Sequence, residues 1–458
     1  MLTEQTRKER ITHMMSLAKV YRGWTSTQLA AALGREPTRA VPATGNPKLD
    51  LLERLADALD WETGEVAESL VSDDPSGEGS PPVEGVGIIA RTGCEARPVA
   101  AARASCADLE AMSFHELDVA AQRAHRSGAY AEMQAVALRM RQLASTGRER
   151  AIAANRLAGA YDGCGRYTRV LACVREALSE EEIGDDLRLM LMVNLANANY
   201  TLWNLQESAA VSRGLIAEFE SDPPRGRLER VARAFCLSIS GHSQRRILAR
   251  CESDRETRRR ALEAERDLVA AERQYAELAG EFDDAQYLGL ANTARGGALE
   301  ARVAAGLVPA EDAIEEIVSR LEHAIDVAGH GVPHLLESWG WWSVFGANIA
   351  MRADREAARA AGACGAERGD LDRAIAICTN KAAEIAEHLD LWPMRERAFT
   401  LEWFRRQQVV RTRPEELATW TLDADDVRVL VGTMGRFPLF RPMGWAILHH
   451  AEIIESVA

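Results

Sequence analysis

The chain has 458 residues, enough for two or three domains, and its hydrophobic content of 47% with 27% charged residues is typical of a globular protein. Residues 1–70 hold nine Lys/Arg and ten Asp/Glu, a balance of −1, so almost all of the net charge of −14 lies beyond residue 70. That acidity argues against a nucleic-acid groove in the larger C-terminal part and fits a protein or peptide partner. The sequence shows no apolar run of transmembrane length and no secretory leader pattern, so a cytoplasmic protein is expected.

The first predicted elements lie between Leu17 and Leu70. Thr25-Ser26-Thr27-Gln28 is a capping box, which opens a short apolar helix that Gly34 ends as a C′ glycine. Further along, a Gly-Asn-Pro turn at residues 45–47 precedes an amphipathic helix that closes on Trp61. This order and spacing, over about 60 of the 458 residues, resembles the Xre family of lambda-repressor-like bacterial DNA-binding domains.

In that family the recognition helix lies between the positions of Gly34 and Gly45. Here Pro42 falls in this segment. A proline inside a helix removes a backbone hydrogen bond and costs roughly 3 kcal/mol, and it also disfavours the helical conformation of the preceding residue, Val41. The predicted recognition helix is therefore little more than one turn. The residues expected to contact DNA are Thr25, Gln28, Arg35, Thr38, Arg39, Asn46 and Lys48. Two interpretations stay open: sequence-specific DNA binding, and a repressor-like fold that is kept as a protein-contact module.

A linker and a helical array follow this domain. Residues 72–82 contain only Ser, Asp, Glu, Pro and Gly and cannot bury a core, so 71–104 is predicted to be a linker between domains at 1–70 and 105–458. From residue 113 onward pairs of helices recur, with turn residues Gly128, Gly165 and Asn204 spaced by 37 and 39 positions. Such a period indicates an α-solenoid, and the Gly-x-Tyr turns between alanine-rich helices resemble tetratricopeptide repeats.

The remaining helices are less regular in their period. They are predicted at 228–247, 258–278, 284–305, 311–328, 335–361, 371–388, 393–410, 425–434 and 442–456. The predicted fold class is all-α: a small helix-turn-helix domain followed by a tetratricopeptide-like α-solenoid. The first helix of each pair in the solenoid is expected to line a concave inner surface.

Three polar residues share one phase in successive repeats. Asp118, Asn155 and Asn194 each lie ten positions before a turn residue, which places them on one face of successive first helices. Amides on that face could pair with a peptide backbone, and Arg156 and Arg188 lie near enough to meet a carboxylate. The resemblance implies the same, since tetratricopeptide domains often hold peptides with groove asparagines. The alternative is that these side chains bond only to the neighbouring repeat.

Other patterns favour structural roles. Seven of the ten tryptophans lie in the last third, where core packing is favoured over an interaction surface. Arginines between Arg245 and Arg260 alternate with acids at helical spacing, which favours ion pairs on a solvated helix face. The eight cysteines have no metal-site spacing and are predicted to be reduced thiols. Because no nucleophile, paired-acid or phosphate-binding motif occurs, the chain is predicted to be no enzyme, with no catalytic residue, metal or cofactor.

The order of the two parts resembles peptide-sensing bacterial regulators, in which an Xre-type domain precedes a tetratricopeptide sensor. The resemblance implies a cytoplasmic transcriptional regulator whose solenoid binds a peptide or protein and thereby shifts the placement of the DNA-binding domains, with a homodimer as the form considered. DNA and a peptide or protein are the partners expected, and no membrane. The alternative is a non-enzymatic interaction scaffold in which the helix-turn-helix no longer reads DNA.

Overall fold

A computed structural model describes residues 4–36, 40, 42, 46–71, 109–251, 253–359, 365–412 and 419–453. The chain is all-α, as predicted, and forms two units. The head unit combines Met1–Ala100 with Arg406–Ala458, and the repeat unit is Ala101–Arg405. The prediction had divided the chain differently, with 105–458 as a single repeat domain.

The described part of the head unit begins with four helices: α1 (Glu4–Arg22), α2 (Ser26–Ala32), α3 (Leu49–Leu59) and α4 (Thr63–Val71). The repeat unit contains α5 (Phe114–Arg126), α6 (Tyr130–Leu143), α7 (Gly147–Gly163), α8 (Tyr167–Leu178), α9 (Asp185–Thr201), α10 (Leu205–Ser221), α11 (Arg227–Ile247), α12 (Asp254–Phe282), α13 (Ala285–Ala304), α14 (Ala310–Arg320), α15 (Pro333–Arg359), α16 (Gly365–His388) and α17 (Trp392–Thr412), the last of which contains the boundary between the units. The head unit ends with β1 (Thr421–Leu422), α18 (Ala424–Arg436), α19 (Arg441–His450) and β2 (Glu452–Ile453), the two strands pairing in parallel.

Most helices of the repeat unit begin and end on local signals in the sequence. Capping boxes at Ser113 and Thr146 open α5 and α7. Gly128 and Gly165, with φ of 71° and 70°, supply the left-handed residue between paired helices. At the third turn that residue is Trp203, with φ of 66°, and not the Asn204 that the spacing had suggested. A bulky residue rarely adopts this conformation, so its side chain requires a separate explanation.

From α5 to α13 successive helices of the repeat unit pack side by side, as expected of an α-solenoid, and α15 then packs against α13, α14 and α16. Separate apolar clusters lie along the array, and one of them contains Trp339 and Trp342, which confirms the core-packing interpretation for these two tryptophans. Five cysteines among the described residues are free thiols: Cys164, Cys173, Cys236, Cys251 and Cys378. The other three cysteines and the predicted linker lie outside the described residues, apart from Val71, which ends α4.

Two predicted helices extend well beyond the ends that the structure shows. The helix predicted at 311–328 ends at Arg320 and continues only as a short 3-10 turn, Leu321–Ala324. The helix predicted at 442–456 ends at His450, and residues 452–453 form the strand β2 instead. In the second case Ala451 adopts an extended conformation that ends the helix, and Glu452 and Ile453 then pair with β1.

The C-terminal helices of the head unit pack against α1, α3 and α4. Trp61 is 2% exposed, and its indole N–H donates to the carbonyl of Val431 at 3.3 Å. The Arg441 guanidinium lies 5.1 Å from the Trp61 ring and 2.7 Å from a carboxylate oxygen of Glu65. Burial raises the pKa of Glu65, and Arg441 opposes that rise. The two ends of the chain therefore share one core.

Arg441→Gln should lower the free energy of unfolding of the head unit by roughly 3–5 kcal/mol, because Glu65 would stay buried without its counter-ion. The double variant with Glu65→Gln should recover part of this loss, since it removes the orphaned carboxylate. Hydrogen exchange of the α1, α3 and α4 amides in the full chain measures both effects. Unchanged exchange in Arg441→Gln would show that the C-terminal segment does not support this core.

Candidate functional site

Two of the residues expected to contact DNA have local structural roles. The Thr25 hydroxyl accepts the Gln28 backbone N–H at 3.2 Å, and the Gln28 side-chain oxygen accepts the Thr25 N–H at 2.8 Å. The predicted capping box at α2 is thus confirmed. Gly34, with φ of 65°, follows the helix end, where the side chain of Arg54 lies against it.

The segment between α2 and α3 is described only in part. Arg35 is half-buried, and Asn46 and Lys48 are exposed; Thr38 and Arg39 lie outside the described residues. None of the described residues at 35, 36, 40, 42 and 46–48 is helical.

Arg22, at the end of α1, contacts the end of α3. Its Nε donates to the carbonyl of Ala58 at 2.8 Å, and its Nη2 donates to that of Asp57 at 2.6 Å. The same guanidinium pairs with Asp60 at 2.9 Å, and the Tyr21 hydroxyl donates to this carboxylate at 2.7 Å. These contacts satisfy carbonyls at a helix C-terminus, where a cation is favourable. Sequence reasoning missed this role, which depends on residues more than 30 positions away.

The residues expected to line the peptide groove meet each other. Arg156 Nε donates to Asp118 at 2.6 Å, and Asn194 Nδ2 donates to the side-chain oxygen of Asn155 at 3.1 Å. Asn155 is only 8% exposed, whereas Arg188 is exposed near the start of α9. The equal phase therefore brings four of the five residues into two cross-helix pairs, which is the geometry of the structural alternative.

A different cluster of polar side chains lies deeper in the array. The last turns of α11, residues 240–247, are buried at every position, although they include two arginines and a histidine. A helix segment that is buried on all sides has no solvated face for its charges. Each polar group there must therefore find a partner within the protein or in a ligand.

Arg245 has a full set of partners. Its Nη1 donates to Glu300 at 2.6 Å, and its Nε donates to His242 Nδ1 at 3.3 Å. Glu300, which is 4% exposed, also accepts from Asn348 Nδ2 at 3.3 Å. The guanidinium lies 4.5 Å from the centre of the Phe345 ring. This is a paired charge inside the array.

Arg246, the next residue, is 8% exposed but has no comparable partner. Its guanidinium lies 3.9 Å from the Tyr200 ring and 4.6 Å from the Trp203 ring, and Nη1 donates to the Tyr200 carbonyl at 3.3 Å. Its Nε makes no hydrogen bond, and no carboxylate of the described residues forms an ion pair with it. Burial lowers the pKa of Arg246 to about 10; Arg245 and Arg397 lower it further, whereas Tyr200 and the carboxylate of Glu396 oppose the shift. The side chain therefore remains charged at pH 7.

Trp203 is placed between two cations. The Arg397 guanidinium lies 4.4 Å from the Trp203 ring, so that this ring contacts Arg246 and Arg397 at once. Arg397 pairs with the buried Glu396 at 3.0 Å, and Thr400 donates to the same carboxylate at 2.9 Å. The contact joins the third turn of the array to α17. It also explains why a tryptophan occupies the left-handed position that glycine holds in the two preceding turns.

His242 adds a second unmatched group. Its ring is 5% exposed and stacks on Phe345 at 5.7 Å. Because Nδ1 accepts from Arg245, the proton of the neutral ring is on Nε2, and this buried nitrogen has no hydrogen-bond partner. Burial, followed by the charges of Arg245 and Arg246, lowers the pKa of His242 well below its ordinary value. We call Tyr200, Trp203, His242, Arg246 and Arg397 the arginine site.

The sequence interpretation of the basic run was wrong for Arg245 and Arg246, which are buried. It was correct for Arg259 and Arg260, which pair four residues away with Glu263 and Glu256 at 2.6 and 2.8 Å. One signal could have separated them, because neither Arg245 nor Arg246 has an acid three or four positions away. An arginine without helical ion-pair partners is a candidate for tertiary pairing.

Chemically, the arginine site presents donors and one uncompensated positive charge. The described residues contain no group of three metal-ligating side chains, and none of their helices could cross a membrane. Comparison of the chain with protein-family models and with curated proteins finds no match. The prediction that the chain is no enzyme stays a prediction, and the site's own chemistry is that of anion recognition.

The neighbouring arginines allow a matched stability test. Arg245→Gln should lower the free energy of unfolding of the repeat unit by roughly 3–5 kcal/mol, because buried Glu300 would lose its counter-ion. Arg246→Gln removes an equally buried guanidinium but orphans no carboxylate, so its effect should be less than half as large. Urea unfolding followed by circular dichroism compares the two. Equal losses would contradict the assignment of one paired and one unpaired cation.

Histidine burial also predicts an acid sensitivity. Since the pKa of His242 is depressed in the folded state, the unfolded chain binds that proton more readily below the ordinary value of 6.5, and stability should fall as the pH falls. His242→Gln should reduce this slope by up to about 1.4 kcal/mol per pH unit. Hydrogen exchange of α11 amides between pH 7 and 5 measures this slope for the repeat unit alone. A global unfolding measurement would also include His13 of the head unit, because burial lowers the pKa of that histidine too.

The same substitution at His388, which is exposed at the end of α16, controls for the loss of a histidine. A slope that is identical in the wild type and in His242→Gln would show that His242 does not stay neutral in the folded protein.

Proposed function

We propose that this chain is a ligand-responsive transcriptional regulator, in which the repeat unit binds a small ligand or peptide and the head unit binds DNA. The observation that carries the proposal is the buried guanidinium of Arg246, which has a place in the array but no counter-ion. Such a group fits a receptor for an anionic ligand better than a passive spacer, because an unpaired buried charge destabilises the protein that retains it. The tetratricopeptide-like order of helix pairs supports a binding role for this unit.

The head unit contributes the second half of the proposal. Its capping box at Thr25, the C′ glycine at Gly34 and the apolar helix ending near Trp61 follow the order of Xre-type domains. DNA contact would then rely on Arg35, Arg39 and Lys48, since Arg22 holds the end of α3. Cytoplasmic location and action as a homodimer belong to the same proposal.

A second candidate function is a protein-interaction scaffold without DNA binding. It is favoured by the near balance of charge in residues 1–70, nine basic against ten acidic, because non-specific DNA affinity arises mainly from phosphate neutralisation by a basic face.

Capture of genomic DNA fragments by the full chain at moderate salt separates the two functions. The wild type should enrich a defined site, and Arg35→Ala with Arg39→Ala should abolish that enrichment, because the short sequence between α2 and α3 holds few other groups to replace them. The matched control is Arg141→Ala with Arg213→Ala, which removes the same charge from half-exposed ion pairs of the repeat unit. Absence of any enriched sequence in the wild type would favour the scaffold.

A further inference from the structure

The arginine site and its neighbours contain one more positive than negative charge. Arg245 is matched by Glu300, and Arg397 is matched by Glu396. His242 is neutral because burial and the neighbouring arginines keep its pKa low. Arg246 alone makes no ion pair with a carboxylate of the described residues, although Glu396 acts on it from a longer distance. The three arginines and two carboxylates therefore sum to a net charge of +1.

The surroundings of Arg246 hold its guanidinium in place without neutralising it. The rings of Tyr200 and Trp203 and the carbonyl of Tyr200 fix its plane. These contacts leave Nε unmatched. One turn earlier on the same helix, His242 Nε2 is likewise unmatched, and its ring lies 6.3 Å from that of Tyr200. Residues four apart are neighbours on a helix surface, so both donors flank the same aromatic ring.

We propose that Arg246 and His242 form a subsite for one carboxylate group of the ligand. Arg246 supplies the counter-charge, and His242 Nε2 donates a second hydrogen bond. This inference rests on the proposed sensor role of the repeat unit, and it identifies the ligand of that unit as a carboxylic acid.

A single negative charge suits the site better than a dianion. Binding one carboxylate brings the net charge to zero, whereas a phosphate dianion would leave an excess negative charge close to Glu300 and Glu396. A planar carboxylate also matches the fork of a guanidinium. The carboxylate could belong to a small free acid or to the C-terminus of a peptide, and the two sources differ in what lies beyond the carboxylate.

Thermal unfolding of the full chain with paired acids and amides tests the subsite. Benzoate is compared with benzamide, and acetyl-Ala-Ala-Phe with its C-terminal amide, at constant ionic strength set with sodium chloride. The acids should raise the Tm in a saturable way, because a ligand that binds only the folded state stabilises it. The amides should not, since they carry no charge to match Arg246.

The variants decide whether Arg246 is responsible. Arg246→Gln should abolish the Tm response to both acids, and Arg246→Lys, which keeps the charge but loses the fork, should raise the half-saturating concentration at least tenfold. Arg141→Gln, at a half-exposed ion pair, should respond as the wild type does. Circular dichroism of each ligand-free variant confirms that it is folded, and the Lys variant carries the test if the Gln variant does not fold.

The outcomes separate the sources and the hypotheses. Tighter binding of the tripeptide acid than of benzoate identifies a peptide C-terminus, and the reverse order identifies a small free acid; both support the subsite. Equal responses to acids and amides, a response that survives in Arg246→Gln, a larger response to inorganic phosphate, or no saturable response to either acid would overturn it. DNA enrichment is measured separately on the same variants. A carboxylate response without any enrichment would retain the subsite and reject the regulator.

Discussion

The cross-helix polar contacts of the repeat unit are the constraint on which the rest of its structure depends. The last turns of α11 have no face to the solvent, so their side chains must be matched by neighbouring helices. Ser240 donates to Asp267 at 2.8 Å, Ser243 donates to Ser208 at 3.3 Å, and Gln244 accepts from Arg260 at 3.0 Å. Apolar contacts alone tolerate sliding of one helix along another, whereas buried hydrogen bonds do not. These bonds therefore fix the register of α11 against α10 and α12.

The same kind of contact continues along the array between first helices. Asn155 with Asn194, Asn292 with Ser338, and Glu300 with Asn348 each join one pair to the next. The equal phase of Asp118, Asn155 and Asn194 in the sequence detected only the first of these contacts, and the sequence alone could not show whether a ligand or a neighbouring helix meets these side chains. Where all donors and acceptors are used within the protein, the groups define curvature. At Arg246 and His242, Nε and Nε2 remain without a hydrogen bond, and these are the donors that the proposed carboxylate would use.

The difference between what was and was not predictable is physical. Helix periodicity, capping boxes and glycine turns depend on residues a few positions apart, so the all-α array and the Thr25 cap follow from the sequence. An amphipathic face shows only that a partner exists, not which one. Trp61 was expected to close a helix, but its contact with Val431 spans 370 positions and places both chain ends in one unit. Burial of Arg246 depends likewise on residues of α9 and α17, which no local pattern relates.

Trp203 shows how occupancy of the arginine site could reach the fold of the array. Its ring lies between the Arg246 and Arg397 guanidinium groups, and the charge of Arg397 acts against that of Arg246. The contact that closes the third turn on α17 therefore contains a repulsion, which is strong at low dielectric. A carboxylate bound at Arg246 would offset this repulsion and so strengthen the contact between the third turn and α17. A ligand can act through a sensor only if it changes the free energy of such a contact, and the charge balance at Trp203 meets that requirement.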